Sequence, residues 1–187
     1  MATYTSQYPT AQNDTYVKST TKFSTSYWAY YATDPTKSLV DSWTNNQWVS
    51  ANGSGTNQRF HIDLGSSKII RRIYYENSHT SGSDTDRGAK DFTLWGSNDA
   101  DSFAELAYGT DTGWTQLTTA QSTLDQHASA NALDPKYILI TNAIPYRYYA
   151  FKFATAWASV TYMGVRRIEL QTEDGFYGGG QVIIWSS

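Results

Sequence analysis

Phe60, Ile62 and Leu64 alternate with His61 and Asp63, and Gly65 stops the run. A period of two places successive side chains on opposite faces, which is the signature of a strand with one buried face. The same pattern returns along the chain. Ile69 to Tyr75 is rich in β-branched and aromatic residues, Phe92 and Leu94 lead to Gly96, and Trp114 and Leu117 sit on another short run. Tyr137 to Thr141 and Tyr148 to Phe153 follow, and Val165, Ile168 and Leu170 alternate with Arg166, Arg167, Glu169 and Gln171. Turn formers separate these runs: Asp34-Pro35, Asn45-Asn46, Asn52-Gly53-Ser54-Gly55, the polar stretch 76–90, Ser97-Asn98-Asp99 and Asn142 to Pro145. Only residues 101–107 and 119–130 could pass for helices, and neither holds an apolar stripe. Many short strands punctuated by turns predict an all-β sandwich with jelly-roll connections, its core built on Trp48, Phe60, Ile62, Leu64, Phe92, Leu94, Phe151 and Ile168.

The 187 residues suit one domain. The aromatic share is high, at 16%, and the charged share low, at 17%; Tyr and Trp combine a flat apolar body with a polar handle, which suits both strands and binding surfaces. The net charge of −3 with scattered Lys and Arg lacks the basic footprint that nucleic-acid binding needs. No cysteine is present, so disulfides and thiolate metal sites are excluded. The start, M-A-T-Y-T-S-Q-Y-P, shows no signal-peptide pattern, and no window reaches the ~18 apolar residues of a membrane span. The expectation is a protein made in the cytoplasm, without membrane insertion.

Catalytic patterns were sought and not found. His61, His79 and His127 are not at metal-ligand spacing, and no nucleophile elbow, P-loop or dinucleotide fingerprint occurs. Paired carboxylates need only meet in space, so the residues alone leave them open.

Seven pieces, in order, carry a family resemblance: Trp48-Val49-Ser50, R-F-H-I-D-L-G at 59–65, I-I-R-R-I at 69–73, K-D-F-T-L-W-G-S-N-D at 90–99, W-T-Q-L at 114–117, Y-R-Y-Y-A-F-K-F at 146–153 and Y-M-G-V-R-R-I-E-L at 162–170. Together they resemble discoidin domains, also called coagulation factor V/VIII type C domains, a group that includes galactose-binding-like carbohydrate-binding modules. The resemblance spans about 32–172. It implies a discoidin-type jelly-roll sandwich, preceded by an arm and lead-in strand at 1–31 and followed by a Gly-rich hinge and apolar tail at 173–187.

It also implies a non-catalytic module with a ligand site on loops at one end of the sandwich. Matching loops contain Asn77, His79 and Arg87 in one segment and Trp157 and Tyr162 in another, which together offer aromatic plates and polar groups for a glycan. The resemblance implies a structural calcium too, between loop donors at Asp34 and Glu169 in the last strand, although the usual Asp-Gly-Asp loop here reads A-T-D-P-T-K-S. No cofactor is otherwise required.

Both chain ends are expected to make subunit contacts. Tyr4 and Tyr8 lie in a polar N-terminal strip, and Val182, Ile183, Ile184 and Trp185 follow three glycines, a short apolar strand with no evident core position. A signal-less, disulfide-free sandwich with such ends suggests a structural and adhesive component of a larger particle, a phage virion as head decoration or tail appendage, whose partners are copies of itself, other particle proteins and cell-surface glycans. The alternative is a free-standing galactose-type lectin.

Overall fold

The computed structural model describes residues 2–175; the apolar tail at 182–185 lies outside them. Among the described residues there are ten strands: β1 (Tyr4–Gln7), β2 (Val17–Ser19), β3 (Trp48–Val49), β4 (Thr56–Lys68), β5 (Arg72–Asn77), β6 (Phe92–Ser97), β7 (Thr115–Thr119), β8 (Lys136–Thr141), β9 (Tyr146–Thr155) and β10 (Gly164–Glu173), with one short helix, α1 (Ala100–Ala104). Every strand pairing is antiparallel, in the order β1-β10-β5-β8-β7-β6-β9-β4-β2, with β3 on β10. The link between β7 and β8 is slight, just Thr118 against Thr141 and Thr119 against Ile140. The path therefore folds into two sheets, β1-β10-β5-β8 and β7-β6-β9-β4-β2, joined at that seam.

The inward faces interdigitate as the alternation predicts. Phe60 lies opposite Phe151 and Leu94 opposite Phe151 on its other side, while Ile168 faces Tyr75 and Ile73 faces Ile138 in the second sheet. All eight residues expected in the core are buried. Trp48 packs edge-on to Phe60 at 5.4 Å, and its indole N–H donates to the Thr21 carbonyl at 2.9 Å, so the one polar atom of a fully buried ring is satisfied.

The Asp63-Leu64-Gly65 turn forms as its residues require. Gly65 has φ +74°, and its N–H donates to the Asp63 carboxylate at 2.7 Å. The strand does not end there: β4 runs on to Lys68 through a register shift. Asp63 also takes two bonds from the Arg147 guanidinium, at 2.8 and 2.9 Å.

Two elements differ from the sequence reading. The described part of the expected arm is built into the sandwich of its own chain: β1 closes one edge by pairing with β10, and β2 closes the other by pairing with β4. Tyr4 lies under the Arg72 guanidinium, 3.9 Å from its ring centre, whereas Tyr8 remains exposed. The polar Thr/Ser composition suits an edge strand as well as an arm.

The outer face of β4 is the second difference. Arg59, His61 and Asp63 are buried instead of solvated. Helix α1 and the segment after it cover this face with Phe103 and Trp114, and His61 lies 4.9 Å from the Trp114 ring centre and 3.0 Å from the Phe103 carbonyl. Burial pulls the His61 pKa down to about 4. Arg59 donates to the Ala107 carbonyl at 2.9 Å and pairs with Asp111.

Truncating Phe92, packed between the sheets with Phe151 at 5.9 Å, removes a large buried ring. Phe92→Ala should cost about 3–5 kcal/mol in a denaturant titration. A loss under about 1 kcal/mol, well below that range, would contradict this packing.

Candidate functional site

One end of the sandwich gathers three loops: 20–46 before β3, 78–91 between β5 and β6, and 156–163 between β9 and β10. Backbone bonds lock them to one another. Ala158 and Ser159 donate to the Asp86 carbonyl at 3.0 and 3.2 Å, Trp157 to Gly88 at 3.0 Å, and Ser81 to Asp41 at 3.1 Å, while a bond from Asn45 to Ser26 at 2.9 Å closes the first loop on itself. Phe23 donates to Val49 of β3 at 2.8 Å. The loops are thereby parts of one rigid rim, as a binding surface on irregular backbone requires.

On this rim five flat side chains form a closed circuit. Phe23 meets Tyr27 at 5.5 Å, Tyr27 meets Trp43 at 5.2 Å, the Arg87 guanidinium covers Trp43 at 4.8 Å and Tyr162 at 5.3 Å, and Tyr162 returns to Phe23 at 5.5 Å, edge to face. The ring pairs adopt edge-to-face geometry, which aligns ring quadrupoles favourably, and the cation sits where the π-faces attract it. Arg87 is further held by Asp84 at 3.1 Å, and Asp84 itself adopts φ +55°, turning the chain tightly at that point. Phe23 is 43% exposed, a large apolar ring facing water at the edge of the circuit.

Of the five residues expected to form a glycan site, the structure brings Arg87 and Tyr162 together and places the other three elsewhere. Asn77 is buried: its side-chain amide donates to the carbonyls of Ala89 and Asp125 at 2.8 and 2.9 Å and its oxygen accepts from Ser78 at 2.9 Å. His79 is also fully buried, stacked on His127 at 3.9 Å, with one ring nitrogen 2.9 Å from the Leu39 carbonyl and the other accepting from Gly82 at 3.0 Å. Burial lowers its pKa to about 4, so the ring is neutral near pH 7. Trp157 donates to the Leu124 carbonyl at 3.1 Å and lies under Lys90, away from the circuit. Phe23, Tyr27 and Trp43 complete the circuit and were not legible as site residues. Their cue, an aromatic run at 23–31 followed by a Trp among turn formers, reads equally as a lead-in strand.

The calcium expectation meets an unsuitable donor set. Asp34 accepts from the Thr36 N–H at 2.9 Å and its hydroxyl at 2.7 Å, closing a local turn. The neighbouring carbonyls are turned onto guanidinium groups. Arg166 donates to Ser38, Val40, Asp41 and His79 at 3.3, 2.8, 3.0 and 2.8 Å, and Arg167 to Lys37 at 2.8 Å. Glu169 is engaged by Arg167 at 3.3 Å and by the Ser6 hydroxyl at 2.6 Å. A hard dication needs six or more oxygen ligands, and here two fixed cations hold those oxygens and would repel it. Among the described residues no group of three or more His, Asp or Glu side chains converges as metal ligands.

Residues 37–171 match a family described as a domain of unknown function, DUF5000, and the chain belongs to that family. No curated protein sequence matches it. Solved structures of similar fold include carbohydrate-binding modules. One is chitosan-binding module 2, in complex with chitotriose, from a chitosanase/glucanase of Paenibacillus sp. IK-5 (18% identity, covering 82% of this chain and 93% of that one, TM-score 0.55). Another is the family 32 module of C. perfringens NanJ in complex with galactose (14% identity, covering 83% and 92%, TM-score 0.55). A third is the family 32 module of AlyQ in complex with 4,5-unsaturated mannuronic acid (19% identity, covering 88% and 96%, TM-score 0.51). At these identities the likeness establishes the fold alone: a discoidin-type jelly-roll sandwich.

If guanidinium groups hold the 37–41 loop, millimolar calcium should leave the thermal midpoint unchanged. A midpoint that climbs with calcium concentration, as mass action demands for any ligand of the folded state, would contradict the donor assignment.

Proposed function

We propose that this protein is a non-catalytic carbohydrate-binding module whose ligand docks on the rim circuit of Phe23, Tyr27, Trp43, Arg87 and Tyr162. The observation that carries the reading is the closed circuit itself: four aromatic rings and a stacked guanidinium drawn from three loops, with Tyr27 buried as its support and Phe23, Trp43, Arg87 and Tyr162 partly open to water. Sugars present C–H patches flanked by hydroxyls, and flat aromatic surface with a few donors fixed beside it complements that chemistry. Arg87 supplies donors that its Asp84 partner and two rings already orient, so little side-chain entropy is lost on binding. The fold shared with sugar-complexed modules supports the same reading. No step of bond making is asked of any residue.

Membership of a larger particle is a second reading. It is favoured by an exposed apolar strip on the outer face and end of β8, where Tyr137 is 52%, Leu139 54% and Ile144 55% exposed, since exposed apolar groups gathered in one area are typical of interaction surfaces. Sedimentation of the full chain and of a chain ending at Gly178 checks it: assembly of the full chain alone is expected, and a full chain that stays monomeric at all concentrations contradicts it.

For the main reading, a glycan array followed by titration of the best ligand is the direct test. Trp43→Ala and Arg87→Ala should each weaken binding at least about tenfold, equivalent to about 1.4 kcal/mol, with the melting temperature of Trp43→Ala close to that of the parent. Failure of the intact protein to bind any sugar on a broad array, or full binding by both variants, would overturn it.

A further inference from the structure

A second cleft lies away from the rim, between edge strand β2, the turn at residues 28–29 and the segment after α1, with a cavity volume of about 260 Å³. Two lysines line it, Lys18 and Lys22. Each is held over an aromatic face, Lys18 at 5.1 Å from the Phe103 centroid and Lys22 at 3.6 Å from that of Trp28. Among the described residues the lysines in ion pairs are Lys136 and Lys152, so the two cleft cations face no carboxylate within salt-bridge distance. With Asp14 also in the lining, the recess carries two positive groups against one negative in a chain of net charge −3.

The rest of the wall has a complementary bias. The Thr20 hydroxyl donates to the Leu106 carbonyl at 3.1 Å and accepts from the Arg59 N–H at 2.9 Å, and the Ser19 hydroxyl donates to the Thr21 carbonyl at 2.9 Å. Their protons are spent on the protein itself, which leaves acceptor lone pairs for a ligand. Asp14, exposed where it lines the cleft, is also an acceptor only. A ligand that fits must therefore bring a negative group for the lysines and hydroxyl donors for the remaining wall. An inorganic anion brings only the first, and a neutral sugar only the second. The volume, near the lower end of the ~300–1,000 Å³ usual for ligand pockets, suits one ring and not an oligomer.

We propose that this cleft binds the carboxylate-bearing ring of an acidic sugar, with Lys18 and Lys22 on the carboxylate and Ser19, Thr20 and Asp14 on the ring hydroxyls. The site is separate from the rim and does not depend on the rim reading. Holding the ammonium groups over ring faces positions them before the ligand arrives, and desolvation on binding strengthens their attraction for the carboxylate.

The test is calorimetric or NMR titration of the full chain with glucuronate, its uncharged methyl ester, glucose and inorganic sulfate, for the parent, Lys18→Gln, Lys22→Gln and Trp43→Ala. Glucuronate should bind at least tenfold more tightly than the ester, glucose or sulfate, each lysine variant should lose at least tenfold, and Trp43→Ala should bind as the parent does. Circular dichroism confirms that the lysine variants are folded, and Lys22→Arg should retain most of the affinity. Equal binding of the methyl ester, equal binding of sulfate, unchanged affinity in both lysine variants, or no binding of glucuronate at all overturns the proposal. Loss of glucuronate binding in Trp43→Ala also overturns it, by placing the acid on the rim, whereas failure of neutral glycans to bind the rim leaves this site's result standing.

Discussion

A single buried guanidinium fixes the geometry on which the rim depends. Arg166 lies in β10, is fully buried, and turns its two terminal nitrogens onto four backbone carbonyls, three from the 38–41 loop and one from His79, while its Nε–H has no partner. Burial with no paired carboxylate pulls its pKa down to about 10, still far above neutrality, so the cation persists. It joins the last strand to the loop leading into Trp43 and to the loop leading into Arg87. Carbonyls that point inward in a tight loop repel one another, and a cation between them removes that repulsion. Because a guanidinium is planar and always charged, it does this without metal availability entering the stability of the fold.

From that anchor the rim follows. The 77–91 segment turns inward at Asn77 and His79, which satisfy backbone groups, and outward at Asp84 and Arg87, where Asp84 holds the guanidinium that meets the aromatic rings. Chemistry alone would assign all four to a ligand. Position in the fold separates them, since a buried histidine with both ring nitrogens engaged has nothing left to offer.

This explains what the sequence made legible. The strands and the core were readable because alternation with a period of two is a direct projection of sheet geometry, as at Phe60, Ile62 and Leu64 or at Phe92 and Leu94. The same alternation misleads where a second layer covers the outer face: His61 and Arg59 look solvated until α1 and Trp114 close over them, and Arg166 and Arg167 look outward until the 37–41 loop wraps them. Of the site, Arg87 and Tyr162 were found through loops matched to the discoidin resemblance. Phe23, Tyr27 and Trp43 were missed because their meeting depends on how a loop before the first core strand folds back, which no local pattern encodes.

The central claim is that ligand binds on the rim circuit, and the indole N–H signals of the seven tryptophans report on it in one spectrum. Trp43 lies in the circuit, Trp157 is tethered to Leu124 outside it, and Trp48 and Trp114 are buried in the two cores. On titration with a glycan that binds, the account predicts that the Trp43 signal shifts in a saturable way while those of Trp48, Trp114 and Trp157 stay in place. Saturable movement of Trp157 with Trp43 unmoved would contradict it.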